Sequence, residues 1–208
     1  MELQQPNFTN LIRRFLHRQR HPDADSDSAD VSLDELPRFH EKVSLYSSAV
    51  ATFYAPSDIS GIGGMRRERI RAVPTWRKGG SRYDCVFINT DSSSQGMRGL
   101  DVARVRQFFS FNSGGVHYPC ALVQWFSRVA DEPDEDTGMW IVEPDFKLDG
   151  SQSMDIIHLD SVVRAAHLLG VCGEDFVPKD LSYDNSLDAF HSFYVNKFAD
   201  HHAFEIAF

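Results

Sequence analysis

The sequence predicts a mainly β fold with helical flanks (α+β), an antiparallel barrel or sandwich carrying an N-terminal and a C-terminal helix. Three observations lead there. Between positions 101 and 160 four apolar, β-branched and aromatic runs are separated by Gly, Asn, Asp and Pro, the punctuation of short paired strands. Two of those runs, DVARVRQFFSF and VHYPCALVQWFSRV, flank Asn112, Ser113, Gly114 and Gly115, which suits a tight hairpin. Finally, 16 phenylalanines in 208 residues and 42% hydrophobic content supply enough apolar surface for a sizeable core.

The organisation expected along the chain is an amphipathic helix over residues 1–20, an acidic flexible linker over 21–32, and one β-rich domain over 33–208 with a C-terminal helix. In the first segment Phe8, Leu11, Ile12, Phe15 and Leu16 fall at i, i+3, i+4, i+7 and i+8, and Asn7 is a suitable N-cap. The linker HPDADSDSAD has nothing to bury. A short helix is expected near Pro37, and SSAVATFY at 47–54 reads as a strand.

RYDCVFINT at 82–90 has the apolar density of a central strand. The hairpin strands follow at 100–111 and 116–126. In the second strand Val116, Tyr118, Cys120, Leu122 and Phe126 alternate with His117, Ala121, Val123 and Trp125. Apolar residues on both faces predict cover on both sides. Pro119 has no N–H to donate, which predicts an edge position or a bulge. Two short strands are expected at 139–143 and 154–159. After them Asp160 or Ser161 is placed to cap a helix ending at Gly170, and Ser186 to start a last helix with Leu187, Phe190, Tyr194 and Phe198 in line.

Composition narrows the function classes. The formal net charge of −9 opposes a general nucleic-acid coat, but not a local basic patch. Such a patch is present: Arg66, Arg67, Arg69, Arg71, Arg77 and Lys78 are accompanied by a single acidic residue, Glu68, and by Trp76. These six cations are the candidate nucleic-acid contacts, and DNA binding through them is expected to be weak. Cys85, Cys120 and Cys172 have no metal-ligand or disulfide spacing. No apolar run approaches the length of a membrane span. The chain therefore reads as soluble and intracellular, without membrane association.

Catalytic motifs are not found. The SGIGG loop lacks the spacing of a phosphate loop, and no serine or cysteine sits in a nucleophile setting. DEPDED at 131–136 has the composition of a solvated loop. His158, His167, His201 and His202 read as structural or surface residues, and Asp160, Arg164 and His167 as an ion-paired helical face. The expectation is no enzyme activity, no catalytic or metal-binding residue, no cofactor and no small-molecule substrate.

Longer strings carry a resemblance. FYAPSDISGIGGMRRERIRA, RYDCVFINTD, MRGLDVARVRQFFSF, YPCALVQWFSRV, DEPDEDTGMWIVEPDF, IHLDSVVRAAHLLGV and SLDAFHSFYVNKFADHHAFEIAF resemble the C-terminal portion of proteins encoded by Plavaka-type DNA transposons of mushroom-forming fungi. Those proteins also have a zinc-finger-like N-terminus and a transposase-type region, neither of which occurs in this sequence, so transposase activity does not carry over. The order of the CVFI, VARVRQFFSF, YPCALVQWFSR and IHLDSVV segments is also similar to a bromo-adjacent homology (BAH) domain, a β-barrel-like chromatin module. The resemblances imply an interaction module in the nucleus more than the cytoplasm. Its partner would be a chromatin protein or the missing transposon domains. Tyr118, Trp125, Phe126 and Trp140 are the peptide-binding candidates.

Overall fold

The computed structural model describes residues 7–21, 31–56, 62–173 and 176–208. The expected linker falls almost wholly outside them, as does part of the SGIGG loop. The described chain is mainly antiparallel β with few helices. Helix α1 spans Phe8–Arg20. The strands are β1 (Ser44–Tyr46), β2 (Ser48–Tyr54), β3 (Met65–Val73), β4 (Arg82–Tyr83), β5 (Cys85–Asn89), β6 (Leu100–Ser113), β7 (Val116–Arg128), β8 (Ile141–Pro144), β9 (Met154–His158), β10 (Val162–Ala166), β11 (Leu168–Gly170) and β12 (Phe193–Val195). Helix α2 is short, His201–Ile206.

The larger sheet runs β10-β5-β6-β7-β8-β12-β11. Its two end strands are separated in sequence only by His167, so one bent segment supplies both ends and the sheet nearly closes into a barrel. Near-closure of this kind shortens the exposed sheet edge, which full closure would remove. Strands β2, β3 and β4 form a second, three-stranded sheet. Asp84 marks the switch between the two. Its carboxylate accepts the backbone N–H of Arg71 at 2.9 Å on β3, and the chain then continues as β5 in the barrel.

Strands β6 and β7 are long enough to serve three cores. Phe126 and Val102 face the barrel interior with Trp140, Val142, Phe193 and Val195. Val123, Ala121, Val105 and Ala103 face outward onto Ile70 and Ala72 of the second sheet. Further along, Leu122, Cys120, Phe109 and Phe111 are covered by Ile12, Phe15 and Leu16 of α1. A register shift between Val105 and Gln107 makes this possible. Before it, odd-numbered residues of β6 face the second sheet; after it, Phe108 does so and Phe109 turns to α1. One extra residue in a strand exchanges its faces.

The hairpin is tighter than the four-residue turn expected: β6 and β7 meet at Gly114 and Gly115 alone, with φ of 60° and 81°. Two successive left-handed residues make the turn whose twist matches the strands, and glycine adopts that geometry without a Cβ penalty. Pro119 pairs with Ser110 of β6, while β9 begins to pair only at Cys120. The proline therefore sits where β7 has one neighbour, and the bulge lies on β6.

Several expected helices are replaced by strands. Residues 162–166 and 168–170 are β10 and β11, because Val162, Arg164, Ala165 and Ala166 pair with β5. The last helix does not start at Ser186. Leu187 and Phe190 pack on the barrel core from a turn, Phe193–Val195 is a strand between β8 and β11, and α2 follows it. The apolar spacing of that stretch satisfies the barrel without helical geometry. The segment near Pro37 forms turns instead of a helix. The Asn7 side chain makes no cap hydrogen bond, although its carbonyl accepts from Leu11 N–H at 3.0 Å.

Candidate functional site

The second sheet presents two chemically different faces. In the β2–β3 register Arg71 lies opposite Ser48, Arg69 opposite Val50, Arg67 opposite Thr52 and Met65 opposite Tyr54. These residues point away from the barrel, and none is acidic. Arg67 and Arg69 are exposed and Arg71 half-buried. Alternate residues on a strand recur about every 6–7 Å, so the three guanidiniums form one stripe. Tyr54, 62% exposed, marks one end. At the other end the Arg71, Arg77 and Arg82 guanidiniums stand 4.5, 5.4 and 5.3 Å from the centre of the Trp76 ring, within cation–π range.

Arg66 occupies the opposite face. There Glu68 accepts the backbone N–H of Ala165 at 3.0 Å, and Ile70 and Ala72 are buried. The six sequence-selected cations therefore divide: Arg67, Arg69 and Arg71 share the exposed stripe, Arg66 faces inward, and Arg77 and Lys78 form the tip of the β3–β4 connection. That tip is strained. Arg77 and Lys78 have φ of 50° and 65°, and the turn is closed by Gly79 N–H donating to the Trp76 carbonyl at 2.8 Å. Left-handed geometry costs an L-residue about 1–2 kcal/mol, and such strain concentrates where function requires a particular side chain.

Beside the stripe a cleft of about 850 Å³ opens between β3–β4, β10 and residues 183–187. Two arginines that the sequence reading did not select as site residues line it, Arg104 and Arg164, only 4% and 5% exposed. Arg104 Nη1 donates to Asp188 at 2.7 Å. Arg164 donates through Nη1 and Nη2 to the two oxygens of Asp200 at 2.7 and 2.6 Å. The signal that could have found them is a cation inside an apolar strand run, VARV and VVRAA. Burial, and then the adjacent Arg104 charge, lower the Arg106 pKa from its usual value. The Arg106 guanidinium lies 4.5 Å from the Tyr83 ring centre.

The expected Asp160–Arg164–His167 face does not form, because the segment is extended. Asp160 is 3.3 Å from His158, and His167 Nδ1 lies 3.0 Å from the Asn196 amide. His202 stacks on Phe53 at 4.6 Å, and His201 is exposed. Cys85 borders the cleft, but burial pushes its thiol up to about 12, so it holds no thiolate at neutral pH. Among the described residues, no three His, Cys, Asp or Glu side chains are grouped to hold a metal ion. No described helix is long and apolar enough to cross a membrane.

The four peptide-binding candidates are not brought together. Phe126 and Trp140 are buried in the barrel core. Tyr118 packs edge-on against Phe15 at 5.8 Å under α1. Trp125 is half-buried on the opposite face of β7, toward the second sheet. Strand alternation separates Trp125 from Phe126, and the length of β7 separates both from Tyr118, so these rings do not surround a common space. Comparisons with protein-family models, characterised proteins and solved structures give no match for this chain.

Proposed function

We propose that this chain is a non-catalytic interaction module of a transposon-encoded protein of the Plavaka type, acting in the nucleus and contacting nucleic acid through the outer face of β2–β3 and the 77–78 tip. The observation that carries the reading is the in-register stripe of Arg67, Arg69 and Arg71 on the outer face of β2–β3, whose neighbouring carboxylate, Asp84, is paired with Arg82 at 2.8 Å. The exposed ring of Tyr54 and the Trp76 hub add surfaces on which bases stack. The BAH-like and chromatin-contact reading draws support from the barrel-like sheet alone, because its aromatic candidates lie in three separate packing clusters.

Phosphate contacts by cations release counterions, which gives the test. The three stripe contacts contribute about −2.7 to the slope of log affinity against log salt on duplex DNA and the two tip cations about −1.8, so binding should be roughly 500-fold weaker at 200 mM than at 50 mM salt. Fluorescence anisotropy with a non-specific duplex measures it. The double substitution Arg67→Ala, Arg69→Ala should reduce the slope by about 1.8. Affinity that does not vary with salt would remove the nucleic-acid reading.

The strained tip allows a second measurement. Replacing Arg77 and Lys78 by glycine relieves left-handed strain, and the gain exceeds the entropic cost of glycine by about 1 kcal/mol in total. The expected result is a slightly higher melting temperature together with weaker nucleic-acid binding. Unchanged affinity in that variant would place the tip outside the interface.

A further inference from the structure

The cleft beside the arginine stripe holds an unmet hydrogen-bonding demand. Arg104 and Arg164 both line it, and each is buried with an Nε–H that has no acceptor among the described residues. For Arg164 the Glu68 carboxylate stands 3.6 Å from Nε, close enough for ion pairing and too far for a hydrogen bond. Buried donors are almost always satisfied; both Nε atoms are shielded from solvent, so a ligand with several acceptor oxygens would engage the Nη groups, in place of the carboxylates that hold them now. Arg77 and Arg82 stand at the rim, Arg82 paired with Asp84 at 2.8 Å, and Glu68, Asp184 and Asp200 line the same cleft, so an anion binds there by displacing carboxylates from the arginines.

We propose that this cleft is a binding site for a phosphate monoester, carried either by the terminus of a nucleic-acid strand or by a free nucleotide. Phosphate presents the acceptor oxygens that forked guanidinium donors match. The cleft volume of about 850 Å³ lies in the range of small-ligand sites.

The segment around Tyr183–Asp188 currently covers that position. Asp188, 54% exposed at its side chain, is the carboxylate on Arg104. The Tyr183 hydroxyl accepts the Gly80 N–H at 2.8 Å, and a Cβ on Gly79 or Gly80 would run into Tyr183 or Asp184. A solvent-exposed carboxylate on a buried cation is exchangeable for a stronger oxyanion. Asp188 therefore competes with the ligand for Arg104.

Isothermal titration of the full chain with inorganic phosphate, a 5′-mononucleotide and the matching nucleoside tests the site. Phosphate and the nucleotide should bind, the nucleotide at least tenfold more tightly than the nucleoside. Asp188→Asn should strengthen nucleotide binding several-fold, and Arg104→Lys, which keeps the charge but loses the fork, should weaken it at least tenfold. Preference for a 5′-phosphorylated oligonucleotide over the mononucleotide assigns the site to strand ends; equal binding assigns it to free nucleotides. The proposal is overturned if phosphate gives no heat, if the nucleoside binds as well as the nucleotide, or if Asp188→Asn leaves affinity unchanged. The last arm decides the matter even where Arg104→Lys does not fold. Salt-dependent duplex binding that persists without any phosphate effect would refute this site and leave the stripe intact.

Discussion

Trp140→Ala should destabilise the protein by about 3–5 kcal/mol, the range for emptying a large aromatic position in a packed core. Trp140 is 2% exposed and lies among Phe126, Val142, Phe193 and Val195 inside the barrel. Its carbonyl also accepts the Val195 N–H at 2.8 Å, so the collapse of the cavity would draw on strand β12. Against a total of roughly 5–15 kcal/mol for a domain, this loss leaves a large unfolded fraction, and the melting temperature should fall by roughly 6–20 °C. The indole Nε1–H has no hydrogen-bond partner among the described residues. Trp140→Phe removes that unpaired donor along with some volume, and should therefore cost only about 1–2 kcal/mol. Trp125→Ala, at a half-buried site, should fall between the two. Thermal melting of the three variants checks the order. A Trp140→Ala protein with an unchanged melting temperature would return Trp140 to the set of surface binding residues.

Two-sided burial of β7 was legible because residues of both parities are apolar between Cys120 and Phe126. The amphipathic stripe of α1 was legible for the same kind of reason: Ile12, Phe15 and Leu16, spaced for one helix face, are the residues it buries. What failed was period assignment in short segments. SVVRAAHLLG offers apolar residues at helical spacing, but it is equally compatible with two short strands around a bend, and pairing with β5 decides between them. Gly170 reads as a helix stop; in the structure it is the place where the Phe190 ring packs so close that no Cβ fits. Only the structure divides the basic run between faces, because strand alternation acts on Arg66 and Arg67 in opposite directions once β3 is known to be a strand. The cleft was the least legible part. Arg104 finds its partner 84 residues away and Arg164 its partner 36 residues away, and no local spacing encodes such pairs.

Asp200→Asn should cost about 2–3 kcal/mol and shift the acid limb of the stability curve. Removing one partner of a buried ion pair costs about 3–5 kcal/mol because the other charge is left in a poorly solvated place. Here the loss is smaller, since Glu68 remains 3.6 Å from Arg164 Nε and Asp200 is itself 39% exposed at its side chain. Asp200 also caps α2, accepting the Ala203 N–H at 2.8 Å. Asparagine caps nearly as well as aspartate, so the substitution isolates the ion pair from the cap; Asp200→Ala would remove both and should cost more. The pH dependence has a definite sign. The Arg164 hydrogen bonds hold the Asp200 carboxyl at about 2, below the ordinary aspartate value of 3.8. Its contribution is thus complete above the unfolded value and is lost as pH falls from near 4 toward 2. His202, stacked on Phe53 and facing Arg164, has its pKa lowered by burial first and by the arginine second. The unfolded chain therefore takes up its proton at a higher pH, and this contribution declines as pH falls through the ordinary histidine range. Both groups predict stability that falls on acidification in two stages, the upper from His202 and the lower from Asp200. Urea unfolding between pH 7 and pH 2 should show a smaller lower stage in Asp200→Asn than in the parent protein, the remainder coming from other carboxyls such as Asp91 that hydrogen bonds also hold low. An identical acid limb in the two proteins would mean that the Arg164 pair is not what couples β10 to the C-terminal helix.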